Sequence, residues 1–221
     1  NSIGAFATLF DGKFPGYKHP VLVLKTEEPG TKQKLALQYD SVETVCFDLV
    51  NHLVNDAIVM GAKPLSVQDC IVCGKMDKDI ILRMVNAFSK ACKENECVLT
   101  GGETSEQPGV VDAGTYIMTA SIVAVVEKSK IIDGSSIQVG DVVLALPSSG
   151  VHTNGLSLIR KVMELSPEVL KEKIGTKSFI ETILIPHRGY YPALKGLFGK
   201  KGLTGLAHIT GGGIKENLNR I

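Results

Sequence analysis

The sequence predicts an α/β protein made of two consecutive domains, and three observations carry that reading. Short β-branched runs alternate with segments whose apolar residues recur every three or four positions. A polar, turn-rich stretch around residues 131–141 separates two such series, and glycines follow directly on several of the predicted strands. A chain of 221 residues has the length for one large domain or two smaller ones. The boundary is expected between residues 132 and 133, giving domains 1–132 and 133–221.

Taken in order, Pro20-Val-Leu-Val-Leu-Lys25 is a strand closed by the turn residues Glu27-Glu28-Pro29-Gly30. Val45, Leu49, Leu53, Ala57 and Met60 then follow a helical period, and Gly61 and Pro64 stop it. Leu65 to Val72 reads as a strand. Asp77 caps a second helix with the stripe Ile81, Met84, Val85, Phe88 and Cys92. Cys97 to Thr100 is a short strand ending at Gly101-Gly102-Glu103, and Thr115 to Val126 is a long one. The order is β-α-β-α-β-β.

Beyond the boundary the theme restarts with a strand over Val142 to Leu146, the loop Ser148 to Gly155, and a helix through Leu156, Ile159 and Val162. Leu206 to Ile209 then leads through Gly211-Gly212-Gly213 into a helix from Ile214 that the chain ends within two turns. One finished strand-helix unit and one unfinished one are expected to be part of a larger α/β domain, so this second domain reads as truncated.

Composition excludes several classes of function. Lys plus Arg (24) and Asp plus Glu (23) nearly cancel, which leaves no global field to gather nucleic acid or an anionic membrane. No apolar run approaches the roughly 20 residues that span a bilayer. Asn1 to Phe10 has no basic segment followed by an apolar one, so a cytoplasmic location is expected. The five cysteines are odd in number and lie in apolar segments, which reads as buried free thiols rather than a zinc or redox site at Cys70-Ile-Val-Cys73.

A helix stripe and four loops carry chemistry. Asp48, His52, Asn55 and Asp56 recur along one stripe of an otherwise apolar helix, which is either a solvated face or the ligand set of an ion. Glu27-Glu28-Pro29-Gly30-Thr31-Lys32 offers carboxylates for Mg²⁺ and then backbone N–H, hydroxyl and ammonium for phosphate; a plain surface turn is the other reading. Gly101-Gly102-Glu103 puts a carboxylate beside glycines that let a ligand approach the backbone. Ser148 to Gly155, with His152 and Asn154, and Thr210-Gly211-Gly212-Gly213 each precede a predicted helix, where free N–H groups favour anions; capping and a tight turn are the alternatives. Together these loops suggest Mg²⁺-dependent phosphate chemistry.

The stretches Asp48 to Asp56 with Gly61-Ala-Lys-Pro64, Leu99 to Gly109, Val125 to Lys128, Ser148 to Gly155 and Ala207 to Gly213 resemble, in family order from Gly4 to Arg220, the phosphoribosylformylglycinamidine cyclo-ligases. The resemblance implies ATP-dependent closure of formylglycinamidine ribonucleotide to aminoimidazole ribonucleotide. It also implies a homodimer whose first domains pair their strands into a shared barrel. By position it makes Asp56, Glu103 and His152 catalytic, and gives Glu27, Asp56 and Glu103 to the metal. Glu27, Gly30, Thr31, Lys32, Asn154, Gly211, Gly212 and Gly213 go to ATP and phosphate. His19, His52, His187 and His208 read as structural. Where the family has Asp-Gly-Val-Gly-Thr-Lys this chain has Glu27 to Lys32, with Glu28 and Pro29 replacing flexible positions, so metal geometry or ATP affinity is expected to differ. Other ATP users of the superfamily, such as selenophosphate synthetase or thiamine-monophosphate kinase, and a non-catalytic nucleotide-binding paralogue are the alternatives.

Overall fold

A computed structural model describes residues 2–3 and 6–221, with side chains from residue 6 onward. Asn1, where the leader reading starts, and Gly4, where the family resemblance begins, lie outside the described residues. The strands are β1 (Ser2–Ile3), β2 (Thr8–Leu9), β3 (Pro20–Glu27), β4 (Lys63–Cys73), β5 (Val98–Glu106) and β6 (Tyr116–Glu127), with the two-residue β7 (Lys173–Ile174) and β8 (Lys177–Ser178) further on. The helices are α1 (Lys32–Gln38), α2 (Val42–Ile58), α3 (Lys78–Glu94), α4 (Leu156–Leu165), α5 (Phe179–Ile183), α6 (Tyr191–Leu194) and α7 (Gly213–Leu218).

The main sheet runs β3-β6-β4-β5; β3 and β4 are antiparallel to β6, while β4 and β5 are parallel and joined through α3. One face of it carries the core. Val67, Ile71, Met118, Ala120, Ile122 and Ala124 alternate onto that face and are buried beneath α2 and α3. Both helices form for local reasons as well. Asp77 accepts from the N–H groups of Asp79 and Ile80 at the start of α3, and α2 presents Val45, Leu49, Leu53 and Ala57 at full burial. The opposite face is open, with Leu22, Leu24 and Ile117 40–70% exposed.

Two expectations are corrected here. Residues 142–146 and 206–209 form no strand among the described residues. Apolar alternation alone does not make a strand: the backbone needs a hydrogen-bonded neighbour, and Val142, Val143 and Leu144 stay more than 80% exposed without one. In addition, β5 continues through Gly101-Gly102-Glu103 to Glu106, so these residues are not a strand-end loop. A register irregularity opposite Val67 and Asp69 accommodates them, with Gly101 at φ +122°.

Candidate active site

The polar stripe of α2 is not a solvated face. It is the seat of the segment Ile185 to Tyr190, which it holds by backbone hydrogen bonds. Asp48 accepts from the His187 N–H at 2.6 Å, Asn51 donates to the His187 carbonyl at 2.7 Å, and Asn55 donates to the Arg188 carbonyl while accepting from the Tyr190 N–H. Asn95 supports Asn51 from α3 at 2.7 Å. Each buried amide on this stripe thus has a partner, which offsets the cost of desolvating it.

Lys32, expected among the phosphate ligands, sits in the same seam. Its ammonium is fully buried, 2.9–3.0 Å from both Asp48 oxygens, and donates to the Ile185 carbonyl at 2.8 Å. Residue 32 opens α1 and turns inward, away from the exposed Thr31. Burial pushes the Asp48 carboxyl up to about 6 against the opposing pull of Lys32, and the same burial lowers the Lys32 ammonium. Gly30 and Thr31 stay accessible, and the space where a side chain would stand on Gly30 is open.

One turn beyond Asn51, the stripe reaches the carboxylates. Lys25 and Glu27 project from β3 onto the α2 side, since Glu27 pairs with the buried Ala120. Lys25 Nζ bridges Glu27 at 2.7 Å and Asp56 at 3.3 Å. Asp56 also accepts from His208 Nδ1 at 2.8 Å and lies 3.7 Å from His52 Nε2. Burial raises the Asp56 carboxyl, but the His208 hydrogen bond and the charges of His52, His208 and Lys25 outweigh it and hold the group below its ordinary value. The Asp56 carboxylate therefore stays ionised at neutral pH.

Four imidazoles from distant stretches close the site. His187 stacks on His152 with ring centres 4.0 Å apart, its Nε2 lies 3.2 Å from His208 Nε2, and His52 Nδ1 lies 3.3 Å from the Thr153 hydroxyl. Desolvation, reinforced by the neighbouring cations, lowers His152 to about 4 and lowers His187 further still. Both rings are neutral near pH 7. His152, in the left-handed region at φ +53°, accepts from the Ser149 N–H at 3.1 Å. That bond fixes the orientation of its ring.

The structure therefore brings Glu27 and Asp56 together and leaves Glu103 apart. Glu103 pairs with Cys70 on the open face, three strands from β3, or about 14 Å at ~4.8 Å per strand. Asn154 and Gly211 do meet, since a methyl on Gly211 would lie 3.3 Å from Asn154 Oδ1. Gly212 and Gly213 turn at φ +92° and +68°, and Asn217 donates back to the Gly211 and Gly213 carbonyls. His208, Lys25 and Asn51 are the residues that sequence reasoning did not bring to this cluster. The four-residue spacing of His52 and Asp56 was visible, but nothing local marked His208 as its partner.

A cluster of two carboxylates, a lysine and imidazoles between the main sheet and the later segments is the setting in which the comparisons with known proteins take their meaning. Residues 17–126 match the model for the AIR synthase related protein N-terminal domain, and residues 138–221 match that for the C-terminal domain. The chain belongs to the AIR synthase related family. Within it, the chain is 45% identical over 219 residues to the phosphoribosylformylglycinamidine cyclo-ligases of Burkholderia ambifaria (strain MC40-6) and Burkholderia cenocepacia (strain HI2424), a match covering 99% of this chain and 62% of each relative. The chain thus spans less than two thirds of their length. Among solved structures, it is similar to thiamine monophosphate kinase from Aquifex aeolicus, with a TM-score of 0.56 and 19% identity over 86% of this chain and 60% of that one. A second structure, of AaThiL complexed with AMPPCP and TMP, has a TM-score of 0.58 and 16% identity over 83% of this chain and 54% of the other. These two support the fold.

Proposed function

We propose that this chain forms the ATP-binding and part of the substrate-binding region of an enzyme that closes formylglycinamidine ribonucleotide to aminoimidazole ribonucleotide, with ADP and phosphate as the other products, in purine biosynthesis. The observation that carries the proposal is the 45% identity to cyclo-ligases over 99% of the chain. It is supported by the contact of Asp56, from the first matched region, with His208 from the second. The boundary between residues 132 and 133 is part of this reading, as is a cytoplasmic location. No helix among the described residues is long and apolar enough to cross a membrane.

In this reading ATP phosphorylates the formamide oxygen, and the amidine nitrogen then displaces the phosphate as the ring closes. The chain's task is to position and to balance charge. Glu27 and Asp56 are the oxygen donors that would hold Mg²⁺. Lys25 Nζ, between them at 2.7 and 3.3 Å, supports a place for positive charge there, and Mg²⁺ takes one or two carboxylates together with substrate phosphates. The ion would supply electrostatic stabilisation of the transferring phosphoryl group. Gly30 and Thr31 offer unobstructed backbone and hydroxyl to the phosphates, while His152 and Asn154 shape the substrate side. The apolar open face with Leu22, Leu24 and Ile117 supports a homodimer through the main sheet, and Glu103 on that face would serve the site only from such an assembly.

The test is ADP release by the full-length protein with and without formylglycinamidine ribonucleotide. Release that requires this substrate is the expected result. Release driven instead by thiamine monophosphate would move the assignment to the kinase type. Nucleotide binding without turnover would favour the non-catalytic paralogue, a reading to which the Glu28-Pro29 loop and the buried Lys32 lend some weight.

A further inference from the structure

The Mg²⁺ reading uses oxygen donors, yet the groups gathered most tightly around Asp56 are nitrogens. Ligand atoms of His52, Asp56 and His208 all lie within 4.8 Å of one another. Two imidazoles and a carboxylate suit a borderline first-row ion far better than Mg²⁺, which prefers oxygen ligands in near-ideal octahedral geometry. We propose that His52, Asp56 and His208 form a binding site for a divalent transition-metal ion of the zinc class.

Three features carry this. The first is the arrangement of the donors. His52 and Asp56 are one turn apart on α2 and face the same way, so a rigid helix sets two ligands, and His208 supplies the third across the seam. Tetrahedral bonds of ~2.1 Å put ligand atoms about 3.4 Å apart. His208 Nδ1 lies 2.8 Å from one Asp56 oxygen and His52 Nε2 3.7 Å from the other, and one ligand atom from each of the three residues falls within 4.8 Å of the others, so side-chain adjustment draws them onto one ion.

The second feature is the outer shell. A ligating imidazole is normally oriented by a hydrogen bond from its other nitrogen. His52 has that partner in Thr153, at 3.3 Å from Nδ1, and His208 has it in His187, at 3.2 Å from Nε2. The nitrogens left facing Asp56 are therefore the ones free to ligate. Binding would replace the proton now shared between His208 Nδ1 and Asp56, and would release it to solvent.

The third feature is the open side. Glu27, 4.0 Å from His52 Nε2, and Lys25 close the fourth direction, and the side chains of Glu27 and Asp56 are about one-fifth exposed. The Lys25 ammonium balances the carboxylates in the metal-free state. Its side chain is 39% exposed and can swing out as an ion enters. A fourth position filled by Glu27, water or a phosphate oxygen then resembles an open rather than a closed metal site.

The site shares Asp56 with the proposed ATP groove, but its test needs no turnover. The full-length protein, stripped with chelator, is titrated with Co²⁺ and with Zn²⁺; metal content is counted by mass spectrometry and the Co²⁺ spectrum recorded. The expected result is one ion per chain at micromolar concentration, visible d–d bands without a thiolate charge-transfer band, and no displacement by a tenfold excess of Mg²⁺. His52→Gln and His208→Gln should each weaken binding at least ~100-fold, and Thr153→Val about tenfold, as expected for an outer-shell partner. His19→Gln, at an exposed histidine outside the cluster, should leave it unchanged. Sub-stoichiometric binding by the unaltered protein, a thiolate spectrum, or full affinity in both glutamine variants would overturn the proposal, whether or not the protein proves to be a cyclo-ligase.

Discussion

Asp56 and His208 are 152 residues apart in sequence and meet at 2.8 Å, carboxylate to imidazole, where the first family-matched region touches the second. That contact makes the polar cluster a property of both regions. Asp56→Asn keeps the size of the side chain but removes the charge on which Lys25, His52 and His208 all converge. ADP release should fall by about 100-fold or more, the usual effect of removing one preorganised electrostatic group. The thermal midpoint should move little, because the groove is partly open to water. Steady-state kinetics alongside a melting curve checks both, and a collapse of stability without specific loss of turnover would refute the role.

Acid should loosen the seam. His152 is held near 4, and His187 and His52 are also held below the ordinary histidine value, so in the unfolded chain all three bind protons more readily than in the folded one. The stability they contribute is complete above about pH 6.5 and is lost as pH falls toward 4. Asp48, raised to about 6, works the other way between its ordinary value and 6, but it is one group against three. Urea midpoints should therefore fall steadily from pH 7 to pH 4.5, and His152→Gln should flatten that slope. A midpoint that rises over this range would contradict the assignment of neutral imidazoles.

The buried Lys32–Asp48 pair gives a test of seam against phosphate loop. Lys32→Met leaves a buried carboxylate without its cation and should destabilise by roughly 3–5 kcal/mol. Asp48 would then protonate near neutral pH, so the deficit should shrink on mild acidification. Adding Asp48→Asn, which still lets residue 48 accept from the His187 N–H, should recover part of the loss. Chemical denaturation of the two variants measures this. A Lys32→Met protein of ordinary stability but weakened ATP binding would restore Lys32 to the phosphates.

How much of this was legible in the sequence depended on how local the cause was. Strands β3, β4 and β6 and helices α2 and α3 followed from periodicity and from the Asp77 cap, because burial of one face is written at period 2 or 3.6. The burial of Lys32 is not legible locally because its partners, Asp48 and Ile185, are 16 and 153 residues away. His208 reads as structural for the same reason: an imidazole looks alike in sequence whether it faces a carboxylate or the core. The run over 142–146 has strand composition, but composition does not supply a neighbour to pair with.

Gly102 was expected to let a ligand approach the backbone, yet its close neighbour is the protein itself. A methyl there would meet the Asp69 carbonyl at 2.1 Å and its side chain at 2.5 Å. The carbonyl belongs to the adjacent strand and cannot step aside without breaking the β4–β5 pairing. Gly102→Ala should lower stability by several kcal/mol, within the range seen for overpacked cores. Hydrogen exchange should show the loss first in β5. If Gly102→Ala folds normally and loses only nucleotide affinity, the glycine serves a ligand after all.

The open face of the sheet sets the last expectation. Leu22 and Leu24 point away from α2, and with Ile117 they leave apolar surface on a sheet whose other side is fully used by the core. Apolar surface of this kind is stabilised when a second apolar surface covers it, at roughly 25 cal/mol per Å² removed from water. Leu24→Glu puts a charge on the β3 edge of that face, on the side away from α2 and the seam. If copies associate through the sheet, the variant should sediment as a monomer at concentrations where the unaltered full-length protein is a dimer, while its unfolding remains cooperative. The consequence for the groove follows from Glu103, which lies on the same face and has no path to Asp56 within one chain. If Glu103 acts in the reaction, Leu24→Glu and Glu103→Ala should lower turnover together and not additively; independent losses would mean that Glu103 works elsewhere or that the face pairs with something else.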